Sequence, residues 1–451
     1  MNLVFLFSVI LKGLGAVLEV LLQITITGFL GVSGYGTYST WINLADLLFW
    51  VAFSGMVKCN TFYLSGRKTT IRNFKKRYYL RYVMPVLGLA LPLCFLLGRN
   101  ALLMIVPVIT ALEVLVMDRS STLLSRGRSS TSLIGEYVLG RLTLVAGTAI
   151  LGWLGLLELR SLLMLYVLQY GLVLGFFLLR QGRSTKYADI SDEVSVKKWG
   201  AYQRSDLMHA MIEQMPVVMQ YYFSGAFSAG VVSVVLLVKK LIGFIAGPTA
   251  KIFLPEFSRL YKEGDREKIR QVYGSIIRIQ MLIIGPLAVV LLGFPRVILG
   301  ILAEKLVEYD WLFMICSAIF LVVTAMGPCG GFLQMTGNEK IENRFRCGTL
   351  VLMAAVMLLT SGNSYFVLWG LCVQIAAEVI VKYAYICRWL KKAPVTLAAY
   401  LGWWVVPTLA IGLTHVLKVG NSFWMMLLIA GAVFAFFGCR ELKQLSVFRK
   451  K

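Results

Sequence analysis

Residues 28–50 read GFLGVSGYGTYSTWINLADLLFW, and residues 222–244, 194 positions later, read YFSGAFSAGVVSVVLLVKKLIGF. Both stretches place a glycine-containing turn before a long apolar run. The shift superposes residues of the same type: Gly31 on Gly225, Gly36 on Gly230, and Ser39 on Ser233. Few other residues are identical, so the match depends on the hydropathy pattern and the turn glycines. This repeat predicts a chain built from two copies of one helical unit.

The composition is that of a membrane protein. Of 451 residues, 58% are hydrophobic and 15% are charged, whereas soluble domains average about 25% charged residues. A membrane-spanning helix needs about 20 mostly apolar residues. Fourteen segments approach that length: 5–28, 37–57, 82–98, 101–118, 132–154, 161–179, 206–224, 229–250, 279–294, 310–333, 347–362, 365–387, 395–416 and 421–438.

The basic residues support this span count and give an orientation. Of the 45 Lys and Arg residues, 35 lie in loops after even-numbered segments and 5 in loops after odd-numbered ones. Basic residues collect in cytoplasmic loops, so both termini are expected in the cytoplasm. The net charge of +23 is therefore assigned to topology and to contact with anionic lipid, and we expect no nucleic-acid partner.

The repeat divides the chain further. Segments 1–6 and 7–12 form parallel copies, because an even number of spans restores the orientation. We expect an all-α polytopic protein with two six-helix lobes, related by a pseudo-two-fold axis along the membrane normal, plus two C-terminal helices. The expected parts are an N-lobe (1–180), a cytoplasmic linker (181–204), a C-lobe (205–390), and two extra spans with a basic cytoplasmic tail (391–451).

Three motifs resemble the MATE/oligosaccharide-flippase (MOP) superfamily: GVSGYGTYS before the second span, LPEFSRLYKEGDREKIRQVY after the eighth, and LQMTGNEKIENR between the tenth and eleventh. Within it the chain looks most like a Wzx-type flippase. The resemblance implies two helical bundles around a central cavity that opens alternately to each side. It also implies a substrate, an undecaprenyl-pyrophosphate-linked oligosaccharide such as an O-antigen or other surface-polysaccharide repeat unit, moved across the bacterial inner membrane.

Other functions stay open at this point. A MATE-type cation-coupled drug or metabolite antiporter and a lipid II flippase share the superfamily, and a membrane polymerase or ligase of sugar units is a third class. The sequence has no nucleophile–His–acid set, no phosphate-loop motif and no metal-ligand spacing, so we expect no enzyme activity, metal or cofactor. Coupling to H⁺ or Na⁺ is allowed for. The expected partners are membrane lipids and a polysaccharide polymerase complex, with the protein itself a monomer.

Ionisable residues inside the apolar segments are costly unless they meet a partner or a wet cavity, so they are the candidate site. The repeat aligns Asp46 with Lys240, Lys12 with Asp206, and Glu19 with Glu213. In the family the helices that carry them line the central cavity. The expected cationic substrate contacts are Lys240, Lys12, Arg141 and Lys239. The expected acidic cavity residues, candidates for ion coupling, are Asp46, Glu19, Glu213 and Glu113.

Each candidate also has a structural interpretation. Lys240 pairs with Asp46, or it binds the pyrophosphate or an acidic sugar. The other structural alternatives are Lys239 extending to the interface or contacting span 7, Lys12 extending to the cytoplasmic head groups, Arg141 packing against Glu113 or Glu136, and a local Glu378–Lys382 pair. The aromatic residues Tyr35, Tyr38, Trp41, Tyr221 and Tyr222 either stack on sugars or form an interfacial belt.

Overall fold

The first quoted stretch lies within one long helix, α1 (Leu3–Phe53), which bends at Gly31. In the computed structural model Gly31 has φ 70° and ψ 177°, a conformation that is essentially restricted to glycine. Its repeat mate Gly225 bends α10 (Met215–Glu263) in the same way, with φ 86° and ψ 176°. Each bend joins two predicted spans, and the aligned glycines share one backbone conformation.

The structure describes residues 3–64, 69–98, 104–180, 187–419 and 421–448. Within these ranges, side chains are described except at 3–9, 12, 93–98, 129, 197, 198, 201, 244–255, 258, 262 and 440–448.

Helices account for nearly all of the described chain. After α1 the helices are α2 (Met56–Leu64), α3 (Arg72–Tyr78), α4 (Met84–Gly98), α5 (Ile105–Ser125), α6 (Ser129–Leu133), α7 (Gly140–Trp153), α8 (Leu159–Arg180), α9 (Val196–Glu213), α10 (Met215–Glu263), α11 (Arg266–Gly293), α12 (Pro295–Leu302), α13 (Asp310–Ala325), α14 (Cys329–Met335), α15 (Glu339–Leu359), α16 (Phe366–Leu390), α17 (Leu397–Val416) and α18 (Phe423–Phe448). The shorter elements are strands β1 (Thr69–Thr70) and β2 (Ala188–Asp189), π-helical turns Tyr79–Val83 and Ile134–Leu139, and 3₁₀ turns Ser191–Glu193 and Glu304–Tyr309.

The predicted class, an all-α polytopic membrane protein, is confirmed. Each of the fourteen predicted segments overlaps a helix, with breaks at 54–55, 214 and 326–328, and residues 101–103 of the fourth segment lie outside the described residues. Among the described residues, eight helices are long and apolar enough to cross a membrane, and two of them, Gly13–Phe53 and Tyr202–Gly243, each cover most of two predicted segments. Helices satisfy their backbone hydrogen bonds internally, which a bilayer requires.

The chain divides into two units, Met1–Ser233 and Val234–Lys451. The first unit extends past the predicted linker and includes α9 and the first part of α10. The predicted lobe boundaries follow the repeat rather than this division, and they remain a prediction.

The matched glycines meet inside the first unit. A Cβ added to Gly36 would lie 1.9 Å from the Ala226 carbonyl oxygen, and one added to Gly230 would lie 2.3 Å from the Val32 carbonyl oxygen. Beside this contact the Ser233 hydroxyl donates a hydrogen bond to the Ser39 hydroxyl oxygen, at 2.8 Å. The repeat mates therefore face each other, because only glycine lets α1 and α10 approach this closely.

The segment before α9 pairs with the loop before α3. Strand β2 lies parallel to β1, with Thr69 opposite Ala188, and the Asn73 N–H donates to the Asp189 carboxylate at 3.1 Å. Slight burial acts to raise the pKa of Asp189, but hydrogen bonds from Ser191 and Asn73 lower it overall. Buried Trp199 of α9 packs edge-on against Tyr78 of α3. Part of the predicted linker is thus attached to the first unit.

The helix contact at Gly36 gives a stability prediction. Gly36→Ala places a methyl group against the backbone of α10, and such overpacking costs about 1–3 kcal/mol. We expect a lower thermal unfolding midpoint for the detergent-purified protein. The matched control is Gly28→Ala, because a Cβ there meets nothing within 4 Å and alanine favours helix. Equal midpoints for the two variants would contradict the close approach.

Candidate functional site

An ion pair between α1 and α7 lies at the centre of the polar cluster in the first unit. Arg141 Nη1 is 2.8 Å from Glu19 Oε2, and the two side chains are 33% and 13% exposed. Gly15, one turn before Glu19, lets α1 approach Tyr137, one turn before Arg141: a Cβ at Gly15 would lie 3.0 Å from the Tyr137 Cβ. The small residue therefore brings the two charged side chains together.

The backbone before Arg141 is a π-helical turn, Ile134–Leu139. Such turns insert one extra residue into a helix and are frequent at functional sites. Close packing holds this one in place: a Cβ at Gly135 would lie 2.3 Å from the Phe177 ring, and one at Gly140 would lie 2.8 Å from the Gln169 amide nitrogen. The packed turn thus sets the direction in which the Arg141 side chain projects from α7.

Tyrosines surround the pair. The Tyr38 and Tyr166 hydroxyl oxygens, from α1 and α8, are 2.5 Å apart. Tyr35 packs against Tyr38 and Tyr170 against Tyr166, with ring centroids 6.1 and 6.3 Å apart. Three of the rings, Tyr35, Tyr38 and Tyr166, are buried. Their hydroxyl groups lie within electrostatic range of Glu19, so the cluster is a connected polar network rather than an isolated ion pair.

A second acidic group lies in the same cluster. Glu113 of α5 is 8% exposed and interacts electrostatically with Asp46 of α1 and with Arg141. Its Oε2 atom is buried and has no hydrogen-bond partner among the described residues. Asp46 is half-buried. With Glu19, the cluster has three carboxylates near one guanidinium, an excess of negative charge that is suited to holding a proton or a small cation.

The structure joins four predicted site residues, Glu19, Asp46, Glu113 and Arg141, within one unit. The sequence left Glu113 and Glu136 as partners for Arg141. The ion pair is made instead with Glu19, because the Gly15 contact brings α1 nearest, while Glu113 remains within electrostatic range.

The predicted lysines differ in how exposed their side chains are. Lys240 is exposed and Lys239 is half-buried and engaged in a contact, in keeping with the turn of about 100° between neighbouring helix positions. Glu213 is half-buried and also makes a contact. Lys12 lies in α1, but its side chain is outside the described residues. Asp46 belongs to the first unit and Lys240 to the second, so the pairing of these two residues stays a prediction.

The second unit contains a buried charge network between α15 and α16. Lys382 Nζ lies 3.1 Å from Glu342 Oε1 and 2.5 Å from Glu378 Oε1. Arg346 Nη2 lies 2.7 Å from Glu342 Oε1, and the Gln374 amide donates to Glu378 at 2.5 Å. Lys382 and Glu342 are 2% and 1% exposed. The predicted Glu378–Lys382 pair is confirmed, and it belongs to a four-charge set with no net charge.

Sequence reasoning missed Glu342 and Arg346, which the span count placed in a cytoplasmic loop. The signal was the spacing itself, because Glu342 and Arg346 are four residues apart, as are Glu378 and Lys382. It also missed Tyr166 and Tyr170, since tyrosine carries no charge to mark it. Among the described residues no group of three or more His, Cys, Asp or Glu is arranged to hold a metal ion.

Solved structures with the same architecture are transporters. The lipid II flippase MurJ, in an inward closed conformation, superposes with a TM-score of 0.66 at 15% identity, covering 98% of this chain and 99% of that one. The chain has the fold of a MOP-superfamily transporter. An inward-facing multidrug-resistance MATE transporter gives 0.64 at 12% identity, with 86% and 98% covered. A MOP transporter from Pyrococcus furiosus Vc1, described as having a binding pocket of reversed polarity, gives 0.58 at 12% identity, with 87% and 96% covered.

No protein-family profile and no curated protein sequence matches the chain. At these identities the structural likeness establishes the fold, and the substrate has to be argued from the chain's own residues.

The charge network in the second unit gives a further stability prediction. Lys382→Met leaves two buried carboxylates with a single remaining cation, so we expect a loss of about 3–5 kcal/mol, measured by thermal unfolding in detergent. The double variant Glu378→Gln/Lys382→Met should recover part of this loss. Arg259→Met is the control: its pairs with Glu256 and Glu263 are exposed and worth about 1 kcal/mol or less. A Lys382→Met protein as stable as the control would contradict the network's role.

Proposed function

We propose that the protein is a flippase for an undecaprenyl-pyrophosphate-linked oligosaccharide, the repeat unit of an O-antigen or other surface polysaccharide, in the bacterial inner membrane. The observation that carries the proposal is the extent of the structural match. The lipid II flippase covers 98% of this chain, whereas the MATE transporter covers 86%. The difference is about the size of α17, α18 and the tail, which lie outside the twelve repeated spans.

The cationic residues at membrane depth favour an anionic substrate over a cationic drug. Lys239 and Lys240 follow directly on a run of ten buried residues, 229–238, in α10. Lysine is a flexible point charge that suits phosphate, and an exposed ammonium group here is costly unless it faces water or an anion. Lys240 is therefore proposed as the contact for the pyrophosphate, with Lys12 and Arg141 as further cationic contacts.

The setting follows from the same proposal. A lipid-linked sugar assembled on the inner leaflet has to reach the outer leaflet, so the protein is proposed to work by alternating access as a monomer. Both termini would lie in the cytoplasm, as the distribution of basic residues indicates. A polysaccharide polymerase complex is the proposed recipient of the product.

One depletion experiment tests this function and its mechanism. Removing the protein should cause a polyprenyl-linked sugar to accumulate on the cytoplasmic leaflet, and wild-type protein should clear it. Lys240→Ala, at matched expression, should leave export reduced by about tenfold, the value of one charge-assisted contact of about 1.4 kcal/mol. Lys240→Arg keeps the charge and should retain most activity.

Lys305→Ala is the matched control and should export as wild type does, since Lys305 is an exposed lysine outside the predicted spans. Absence of any accumulated polyprenyl-linked sugar would refute the flippase proposal. Accumulation together with full export by Lys240→Ala would refute only the cationic contact.

A second candidate function, cation-coupled antiport of the MATE type, is favoured by the Glu113 and Asp46 pair. The same carboxylates serve a flippase that is driven by an ion gradient, so coupling to H⁺ or Na⁺ is proposed for either substrate. A buried carboxylate beside another one exchanges its proton or cation when its surroundings change. Glu113 is the proposed coupling group, because its buried oxygen has no hydrogen-bond partner among the described residues.

Coupling is testable in proteoliposomes with an imposed H⁺ or Na⁺ gradient. Glu113→Gln keeps the shape of the side chain but can no longer bind or release the ion, so gradient-driven transport should fall to the rate seen without a gradient. Glu158→Gln, at an exposed position, should respond to the gradient as wild type does. A gradient response that survives in Glu113→Gln would show that coupling occurs elsewhere.

A further inference from the structure

The second unit contains a polar cavity where α11 and α17 end and α12 and α13 begin. It encloses about 330 Å³, and its polar lining includes Arg296, Asp310, Thr414, His415, Lys418 and Asn421. This volume is at the lower end of small-ligand sites, which run from about 300 to 1,000 Å³. The cavity therefore suits a single head group or small ion rather than an oligosaccharide.

The cavity has more positive than negative charge. Arg296 Nε lies 2.8 Å from Asp310 Oδ2, and Asp310 Oδ1 accepts from the Trp311 N–H at 2.7 Å. Among the described residues no carboxylate lies within ion-pair distance of Lys418 or His415. Asp310, the one acid among the lining residues, is engaged with Arg296, and the exposed ammonium group of Lys418 is accessible to a ligand.

The N-terminus of α12, which lies at the cavity, lacks the capping and acidic residues that helix N-termini usually have. Phe294 provides no side-chain cap, Pro295 is at the first position, and the first turn has no acidic residue but contains Arg296. A helix N-terminus normally attracts acids and repels bases, because its free N–H groups carry partial positive charge. A bound anion would reverse this mismatch, satisfying the free N–H groups and Arg296 together.

The end of α17 supplies an independent sign. The Val419 N–H donates to the Thr414 carbonyl at 3.1 Å, and the Lys418 N–H donates to the His415 carbonyl at 3.2 Å. This is the helix-ending arrangement in which glycine is preferred, because the residue at its centre is left-handed, here Lys418 with φ 52°. Lysine occupies this position although glycine would fit the backbone better, and the Lys418 residue lines the cavity.

Residues next in sequence to the lining residues are apolar and exposed. Val416, Leu417 and Trp311 are 80%, 52% and 47% exposed, as expected at the edge of a bilayer. We propose that this cavity binds a phosphate-bearing anion, the head group of an acidic lipid or a free phosphate, through Arg296, Lys418 and the N-terminus of α12. The planar guanidinium group, the ammonium group and free helix N–H groups are the three kinds of donor that recognise phosphate oxygens.

The test uses the full-length protein, delipidated in a neutral detergent. One arm adds phosphatidylglycerol, with zwitterionic phosphatidylcholine as the reference lipid, and the other adds inorganic phosphate and pyrophosphate. Binding is measured as the ligand-dependent rise of the unfolding midpoint and as a Kd. Response to phosphatidylglycerol alone assigns the site to lipid head groups, and response to the free anions assigns it to soluble phosphate. No response in either arm overturns the proposal.

Two variants locate the site. Lys418→Gly should weaken binding about tenfold, the effect of losing one charge-assisted contact, while the ligand-free midpoint stays the same or rises because glycine relieves the left-handed strain. The control is Lys391→Gly: Lys391 also ends a helix with φ 60°, so the charge and backbone changes are the same. Equal loss of binding in both variants would mean that the anion responds only to overall charge, and the proposal fails.

Asp310→Asn gives a test in the opposite direction. It releases Arg296 from its competing carboxylate, so affinity for the anion should increase severalfold. A decrease in affinity would show that Arg296 does not bind the ligand, and it would overturn the assignment.

Discussion

A charge inside a bilayer needs an opposite charge or water, and this constraint explains where the helices of each unit come into contact. In the first unit it brings α1 to α7 through Glu19 and Arg141. In the second it holds α15 to α16 through the Lys382–Glu342 and Arg346–Glu378 pairs. The two charged clusters differ in composition. The second network is balanced and almost fully buried, as expected of a fixed contact, whereas the first has an excess of carboxylates and hydroxyl groups around one guanidinium.

Glycine residues let the helices approach closely enough to form these contacts. Gly15 brings the α1 backbone toward the π-helical turn before Arg141, and Gly36 and Gly230 bring α1 and α10 together. Gly31 and Gly225 turn their helices with the same backbone angles. Small residues are the usual means of close helix packing in membranes, where burial of apolar surface gives no advantage over lipid. The polar clusters are therefore positioned by glycines that have no chemistry of their own.

The solved structures that share this fold differ in substrate, so the function has to be argued from the sites. An imbalanced acidic cluster suits an exchangeable proton or cation, while exposed lysine in α10 suits an anion. A flippase for a lipid-linked pyrophosphate that is driven by an ion gradient would use both. The cavity at the ends of α11 and α17 adds a separate anion site that needs neither of them. The three regions have different charge, and each can be altered without changing the residues of the other two.

The membrane class, the helical character of the apolar segments and the repeat could be predicted from the sequence, because hydropathy and charge are properties of local sequence. It also identified the local Glu378–Lys382 pair, since four residues make one helical turn. The pairing of Arg141 with Glu19, the buried network of Glu342 and Arg346, and the tyrosines of the first cluster became visible only in the packed helices. Those contacts depend on how closely two helices approach. For Glu19 and Arg141 the distance is set where Gly15 meets Tyr137 of the π-helical turn, a contact between segments far apart in the sequence.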